Sequence, residues 1–334
     1  MLALYPPVRL LPTLFRAQVR RAEPVQHKRY LRTCAAMASG NMPSLVDTAW
    51  LNDRVARKDV KVKVIDGSWY LPAAGRDAKQ EFRQARIPGA RYFDLNGVAD
   101  HSQDLPHMLP SATQFAAAMD ALDIANDSTV VVYDGAGIFS APRILWTFKA
   151  FGHSQVAVLN GGMPAWKAAG LPVDESEVGE AEMEASAAAA KNPPPQSSYM
   201  ANLQGDMVRD WRQVLENVKS RRETVVDARA AERYKGKAPE PREGMRSGHI
   251  PGSLNVPFGQ LLQDGRYKSP DGLREAFQTA GVDLSQPLTM TCGSGVTACI
   301  LALGLDQLQV PKVAVYDGSW SEWGSNKELP IKQE

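Results

Sequence analysis

Cys292-Gly293-Ser294-Gly295 combines a nucleophile with the spacing that activates one. Pro287–Thr291 reads as a buried strand leading in, and Val296–Leu305, rich in Ala and Leu, reads as a helix leading out. Two glycines let the backbone curl tightly, so several N–H groups can converge on one point at the helix start. Such a cradle, reinforced by the helix dipole, stabilises an anion. A cysteine held there is expected to have a lowered pKa and to react as a thiolate. On these residues alone, a structural cysteine buried before a glycine turn stays open as the alternative. Cys299 lies about two helical turns further on, along the apolar helix, and reads as simply buried. The five histidines are scattered, with neither HExxH nor paired CxxC spacing, so no metal site is expected.

The elements that position this loop occur twice. Val64-Ile65-Asp66 returns as Val225-Val226-Asp227, and Ile87-Pro88-Gly89-Ala90 as Ile250-Pro251-Gly252-Ser253. Val130-Val131-Val132-Tyr133-Asp134-Gly135 is matched by Leu288-Thr289-Met290-Thr291-Cys292-Gly293. Val156-Ala157-Val158-Leu159 before Asn160-Gly161-Gly162 is matched by Val313-Ala314-Val315-Tyr316 before Asp317-Gly318. The offset stays nearly constant, which marks a duplicated domain. Short β-branched runs bounded by Gly, Pro or Asp read as buried parallel strands. Segments of helical spacing between them, such as Phe115-Met119-Leu122, predict an α/β domain with a mostly parallel sheet. Where the second repeat has Cys292, the first has Asp134 before Gly135-Ala136-Gly137, a similar turn without the nucleophile. One catalytic and one supporting half is therefore expected: residues 45–170 non-catalytic, 201–334 catalytic. Between them, 171–200 carries Asp174, Glu175, Glu177, Glu180, Glu182 and Glu184, then Ala187–Ala190 and Pro193-Pro194-Pro195. It reads as a partly solvated, poorly ordered linker, with an acidic binding surface as the alternative.

The 334 residues suit two such domains, and 38 basic against 37 acidic side chains give no electrostatic case for a nucleic-acid partner. No apolar run approaches the roughly 18 residues needed to span a membrane. Three cysteines are too few for a disulfide scaffold and point to a reducing compartment. Residues 1–44 hold Arg9, Arg16, Arg20, Arg21, Lys28, Arg29 and Arg32 against the single acid Glu23, with Pro6, Pro7, Pro12 and Pro24 interrupting any helix. A basic, acid-poor terminus reads as a transit peptide, the alternative being a disordered basic tail. A mitochondrial destination is expected, with a plastid as the alternative, and Met37 or Met42 could start a cytosolic form.

The duplicated repeat and Cys292-Gly293-Ser294-Gly295-Val296-Thr297 resemble the tandem rhodanese-domain sulfurtransferases, in particular the plant- and algal-type mercaptopyruvate-using branch. The thiosulfate-preferring branch has a basic Cys-Arg-Lys-Gly loop instead. The resemblance runs from about Val46 to Ile331 and includes Ile65-Asp66-Gly67-Ser68-Trp69-Tyr70, His107-Met108-Leu109-Pro110, Pro239-Glu240-Pro241-Arg242 and Tyr316-Asp317-Gly318-Ser319-Trp320. Arg86 departs from it, standing where the first Ile-Pro-Gly motif usually has histidine.

The resemblance implies two tandem rhodanese-like domains, with Cys292 as the sulfur-accepting nucleophile. Arg233 and Arg242 match the family's substrate-binding arginines, a role that suits a guanidinium's bidentate grip on a carboxylate. Gly293, Gly295, Val296 and Thr297 complete the loop around the donor. Ser294, His107 and Asp94 match a serine–histidine–aspartate set for moving protons, although His107 also reads as a packed residue between Pro106 and Pro110. Sulfur would pass from 3-mercaptopyruvate to Cys292 as a persulfide, releasing pyruvate, and then to a thiol, such as thioredoxin or a small thiol, or to cyanide. No cofactor is implied. Thiosulfate as donor is the alternative, and a sulfide-sensing module a remoter one. Phosphatase chemistry would need an arginine six residues after the cysteine, where the chain has Ala298.

Overall fold

The computed structural model describes residues 42–242 and 244–334. The transit-peptide reading of 1–44 therefore lies almost wholly outside the described residues. In the first half, the apolar runs form β1 (Leu45–Val46), β2 (Val62–Asp66), β3 (Arg91–Tyr92), β4 (Thr129–Tyr133) and β5 (Val156–Leu159). The second half contributes β6 (Val208–Arg209), β7 (Thr224–Asp227), β8 (Leu254–Asn255), the hairpin β9 (Leu262–Gln263) and β10 (Arg266–Tyr267), then β11 (Leu288–Thr291) and β12 (Val313–Tyr316). The sheet orders are β1-β5-β4-β2-β3 and β6-β12-β11-β7-β8, one topology used twice. Every pair in both sheets is parallel, with Val64 opposite Val131 in one and Val226 opposite Met290 in the other. Helices flank sheets whose central strands are buried on both faces, which is why β4 lacks polar alternation and why Thr289 and Thr291 of β11 are buried as fully as Leu288 and Met290.

The duplication extends to helix caps. Asp47 accepts from Trp50 N–H at the start of helix Thr48–Ala56, and Asp210 from Gln213 N–H at the start of helix Trp211–Ser220. Each satisfies an otherwise orphaned helix donor. Helices Ala141–Ala150 and Ala298–Gln307, which follow β4 and β11, pack against each other. Through them one apolar core runs across both halves. Polar ties accompany it: Tyr267 N–H donates to Asn160 Oδ1 at 3.0 Å, and Lys149 Nζ to Asp306 Oδ1 at 2.9 Å.

Two expectations need correction. The supposed solvated linker contains helix Glu180–Lys191, which buries Met183, Ser186 and Ala190 against helix Ala112–Ala121. Three of its acids are used locally, Asp174 pairing with Arg86, Glu180 with Arg83 and Glu184 with Lys79. Further on, buried Tyr199 meets His153 Nδ1 at 2.9 Å, so most of the stretch is built into the first half. The helix after the cysteine begins at Ala298, leaving Val296 and Thr297 in the loop.

Candidate active site

Cys292 sits just past the end of β11, 2 % exposed, at the carboxyl edge where parallel sheets collect ligands. The segment after β12 holds its loop from outside. Cys292 N–H donates to Ser319 Oγ (3.2 Å), and Trp320 N–H donates to Cys292 O (3.0 Å). Gly293 O accepts from Ser321 N–H (2.8 Å) and Ser321 Oγ (2.7 Å). Among the described residues, no acceptor takes the N–H groups of Gly293 through Ala298. Gly295 has φ +78°, and a Cβ there would lie 2.7 Å from Arg143 Nη1 and 2.9 Å from Asp317 O, so only glycine fits.

The first repeat gives an internal comparison. Asp134, at the position of Cys292, is fully buried, and its carboxylate accepts from the N–H groups of Ala136 (2.9 Å), Phe139 (2.8 Å) and Ala141 (2.9 Å). An anionic side chain thus fills the first half's cradle. In the register of the repeat, the matching donors in the second half belong to Ser294, Thr297 and Cys299, of which Cys299 N–H is taken by Val296 O at 3.2 Å. There the side chain is a thiol, and the N–H groups of Ser294 and Thr297 are free to receive a charge on sulfur.

Arg233, on the one-turn helix Ala231–Tyr234, brings Nη2 to 3.3 Å from the place a Gly293 Cβ would occupy. Arg242 Nη1 donates to Ser321 Oγ (2.9 Å), the same hydroxyl that donates to Gly293 O. Two guanidinium groups far from Cys292 in sequence therefore flank its loop. Arg233 is held by Glu240, whose side chain is 1 % exposed and which also takes Arg229 Nη1 at 2.7 Å.

The expected serine–histidine–aspartate set is not joined by hydrogen bonds. His107, buried and at φ +59°, has no partner at either ring nitrogen among the described residues, and its ring meets Trp69 at 4.4 Å. Burial, with the nearby charges of Arg143 and Arg242, presses its pKa down to about 3, so the imidazole is neutral near pH 7. Asp94 is occupied elsewhere, accepting from Asn96 N–H (3.1 Å), Gly97 N–H (2.9 Å) and Lys79 Nζ (3.0 Å). Ser294 makes no side-chain hydrogen bond among the described residues. Cys299 is sealed in, with Sγ 3.2 Å from Gly295 O, and burial raises its pKa to about 12.

Sequence reasoning missed Arg143. This first-half residue is 1 % exposed; its Nη2 donates to His107 O (2.5 Å) and Asp317 Oδ1 (2.6 Å), while Nη1 abuts Gly295. A lone charge inside the apolar run Ser140–Phe148 was the available signal, since an unpaired arginine is rarely buried. Among the described residues no group of three or more His, Cys, Asp or Glu side chains could hold a metal, and no helix is long and apolar enough to cross a membrane.

A parallel sheet used twice, with a cysteine cradle in one copy and its carboxylate counterpart in the other, defines a tandem α/β protein with one thiol site. The sequence model of the Rhodanese-like domain matches residues 47–169 and 210–326, and the chain belongs to that family. It is 44 % identical over 285 residues to the 3-mercaptopyruvate sulfurtransferase of Rattus norvegicus, covering 84 % of this chain and 91 % of the relative. It is 42 % identical over 297 residues to thiosulfate/3-mercaptopyruvate sulfurtransferase 1, mitochondrial, of Arabidopsis thaliana, covering 86 % and 78 %. The fold matches the crystal structure of SseA from Escherichia coli, a 3-mercaptopyruvate sulfotransferase, with a TM-score of 0.71 and 34 % identity over 84 % of this chain and 99 % of that one.

Proposed function

We propose that this chain is a sulfurtransferase that takes sulfur from 3-mercaptopyruvate onto Cys292, releases pyruvate, and passes the sulfur to a thiol or to cyanide. The observation that carries the reading is the set of unpartnered N–H groups from Gly293 to Ala298, among them those of Ser294 and Thr297, whose counterparts Ala136 and Phe139 in the first half hold the Asp134 carboxylate. That cradle suits a sulfur anion generated and consumed at one point. The Cys292 thiolate attacks the donor sulfur. The S–S bond forms as the donor's C–S bond breaks, and the electron pair leaves on carbon as pyruvate enolate, which takes a proton to become pyruvate. Arg233 and Arg242 hold the donor's carboxylate and keto oxygen beside Gly293. An acceptor thiolate then attacks the outer sulfur and restores the Cys292 thiolate; cyanide in its place yields thiocyanate. Ping-pong kinetics follow.

The neutral pair Gly293-Ser294 favours mercaptopyruvate over the dianion thiosulfate. Thiosulfate stands as the second reading because the Arabidopsis relative's name carries both donors. Turnover of both donors by one preparation with one acceptor tests this, and a higher kcat/KM with thiosulfate would reverse the assignment. Thioredoxin or a small thiol is the proposed physiological acceptor. Mitochondrial targeting is proposed from the basic residues 1–44 and from the mitochondrial designation of that same relative. Import and processing by isolated mitochondria, set against isolated plastids, tests it.

A further inference from the structure

We infer that Glu240 is a positioning residue for donor capture, aiming Arg233 at the donor's carboxylate beside the Cys292 loop through a buried carboxylate shared with Arg229. This rests on the reading of Arg233 as a donor-binding residue.

The geometry is a chain of fixed groups leading outward from the sheet. Asp227, at the end of β7, accepts from Arg229 Nε (3.1 and 3.0 Å) and Nη2 (2.6 Å). Arg229 is further fixed by Gly248 O (2.8 Å) and by the face of Trp320, 4.3 Å away. Its remaining nitrogen, Nη1, donates to Glu240 Oε1 at 2.7 Å. Glu240 in turn takes Arg233 by one edge, Nε to Oε1 at 3.3 Å and Nη2 to Oε2.

A guanidinium has five N–H donors on two usable edges. With the Nε edge on Glu240, Arg233 keeps its outer edge, and Nη1 has no partner among the described residues. That outer edge is the fork that binds a carboxylate end-on. Nη2, shared by both edges, is the atom beside Gly293. Arg229 is already paired with Asp227, so a fold staple would be complete without Arg233. The extension to a side chain 24 % exposed, on a four-residue helix, is what donor capture requires. Left alone, a long side chain there would sample many rotamers.

The test compares alkylation of Cys292 by anionic iodoacetate and neutral iodoacetamide, read on the Cys292 peptide by mass spectrometry, alongside mercaptopyruvate kinetics. Glu240→Asp keeps the charge but shortens the reach, so the two arginines can no longer share it. The expected result is a fall of about tenfold in the iodoacetate-to-iodoacetamide rate ratio, the loss of one charge-assisted hydrogen bond. KM for mercaptopyruvate should rise by a similar factor, and the iodoacetamide rate should stay unchanged. Glu240→Gln keeps the length but turns an NH2 group toward Arg233 Nη2, and should lower the ratio likewise. Arg233→Lys is the reference. If it lowers the ratio while both Glu240 variants retain the parent value, the positioning role is overturned and the donor-binding reading stands. If Arg233→Lys itself leaves the ratio unchanged, the donor-binding reading fails. Should Glu240→Asp lose iodoacetamide reactivity through misfolding, the isosteric Glu240→Gln decides, and an unchanged ratio there overturns the proposal.

Discussion

Replacing Arg143 by Met should be among the most damaging single changes outside the cysteine loop. Arg143 and Asp317 come from different halves, and their side chains are 1 % and 6 % exposed. Asp317 Oδ1 takes Arg143 Nη2 at 2.6 Å and Oδ2 takes Leu109 N–H at 2.8 Å, so both of its oxygens face the first half. Arg143→Met leaves that carboxylate buried without a countercharge, a loss of about 3–5 kcal/mol. Asp317→Asn strands the guanidinium instead and should cost a comparable amount, although the amide oxygen still accepts one bond. The double variant buries no net or separated charge and should lie within about 1–2 kcal/mol of the parent, since neutral replacements of buried pairs are often tolerated. The coupling energy of the cycle should then be roughly 3 kcal/mol or more. Urea unfolding of the four proteins measures it. Additive losses in the double variant would refute the claim that this pair locks the first half onto the catalytic loop.

Cys292→Ser should abolish sulfur transfer from any donor, whereas Cys299→Ser should keep most turnover, because its thiol is buried and held protonated; steady-state kinetics of both variants checks this. Gly293→Arg with Ser294→Lys should move specificity toward thiosulfate by about one decade per added cation, as about 1–2 kcal/mol each implies, and a constant ratio of the two specificity constants would locate donor choice outside the loop. His107, pressed to about 3 from an ordinary 6.5, binds fewer protons folded than unfolded, so its neutral burial favours the fold above pH 6.5 and that contribution is lost progressively as pH falls toward 3. Urea titrations should therefore show a flatter acid limb for His107→Gln, by at most about 1.4 kcal/mol per pH unit. Asp66, lifted to about 6 by burial, acts in the opposite sense, contributing most below its unfolded value and losing that as pH rises through 6, so the variant must be compared with the parent at each pH.

Much of the architecture was legible because duplication wrote it twice. Asp66 and Asp227 end equivalent strands, and the Asp134 and Cys292 loops follow equivalent strands, as the repeat required. Helix Glu180–Lys191 escaped notice because its buried stripe is Met183, Ser186 and Ala190, too small and too polar to stand out from an acidic, alanine-rich segment. The loop was readable from residue types, whereas its two arginines came only with the family resemblance, because taken alone each reads as a surface charge. Their supports were not readable: Arg143 and Asp317 pair from different halves of the chain, and Glu240 joins two arginines across a turn that no residue pattern displays. Asp94 illustrates the opposite error: its motif position suggested a partner in His107, but the N–H groups two and three residues downstream and Lys79 claim its oxygens.

The most direct test of the central claim is the mass of the Cys292 peptide after brief exposure to 3-mercaptopyruvate without acceptor. This peptide should become heavier by one sulfur atom, with one pyruvate released per modified chain, and an added thiol should return it to its original mass. Sulfur found on Cys299, or pyruvate released while Cys292 stays unmodified, would contradict it.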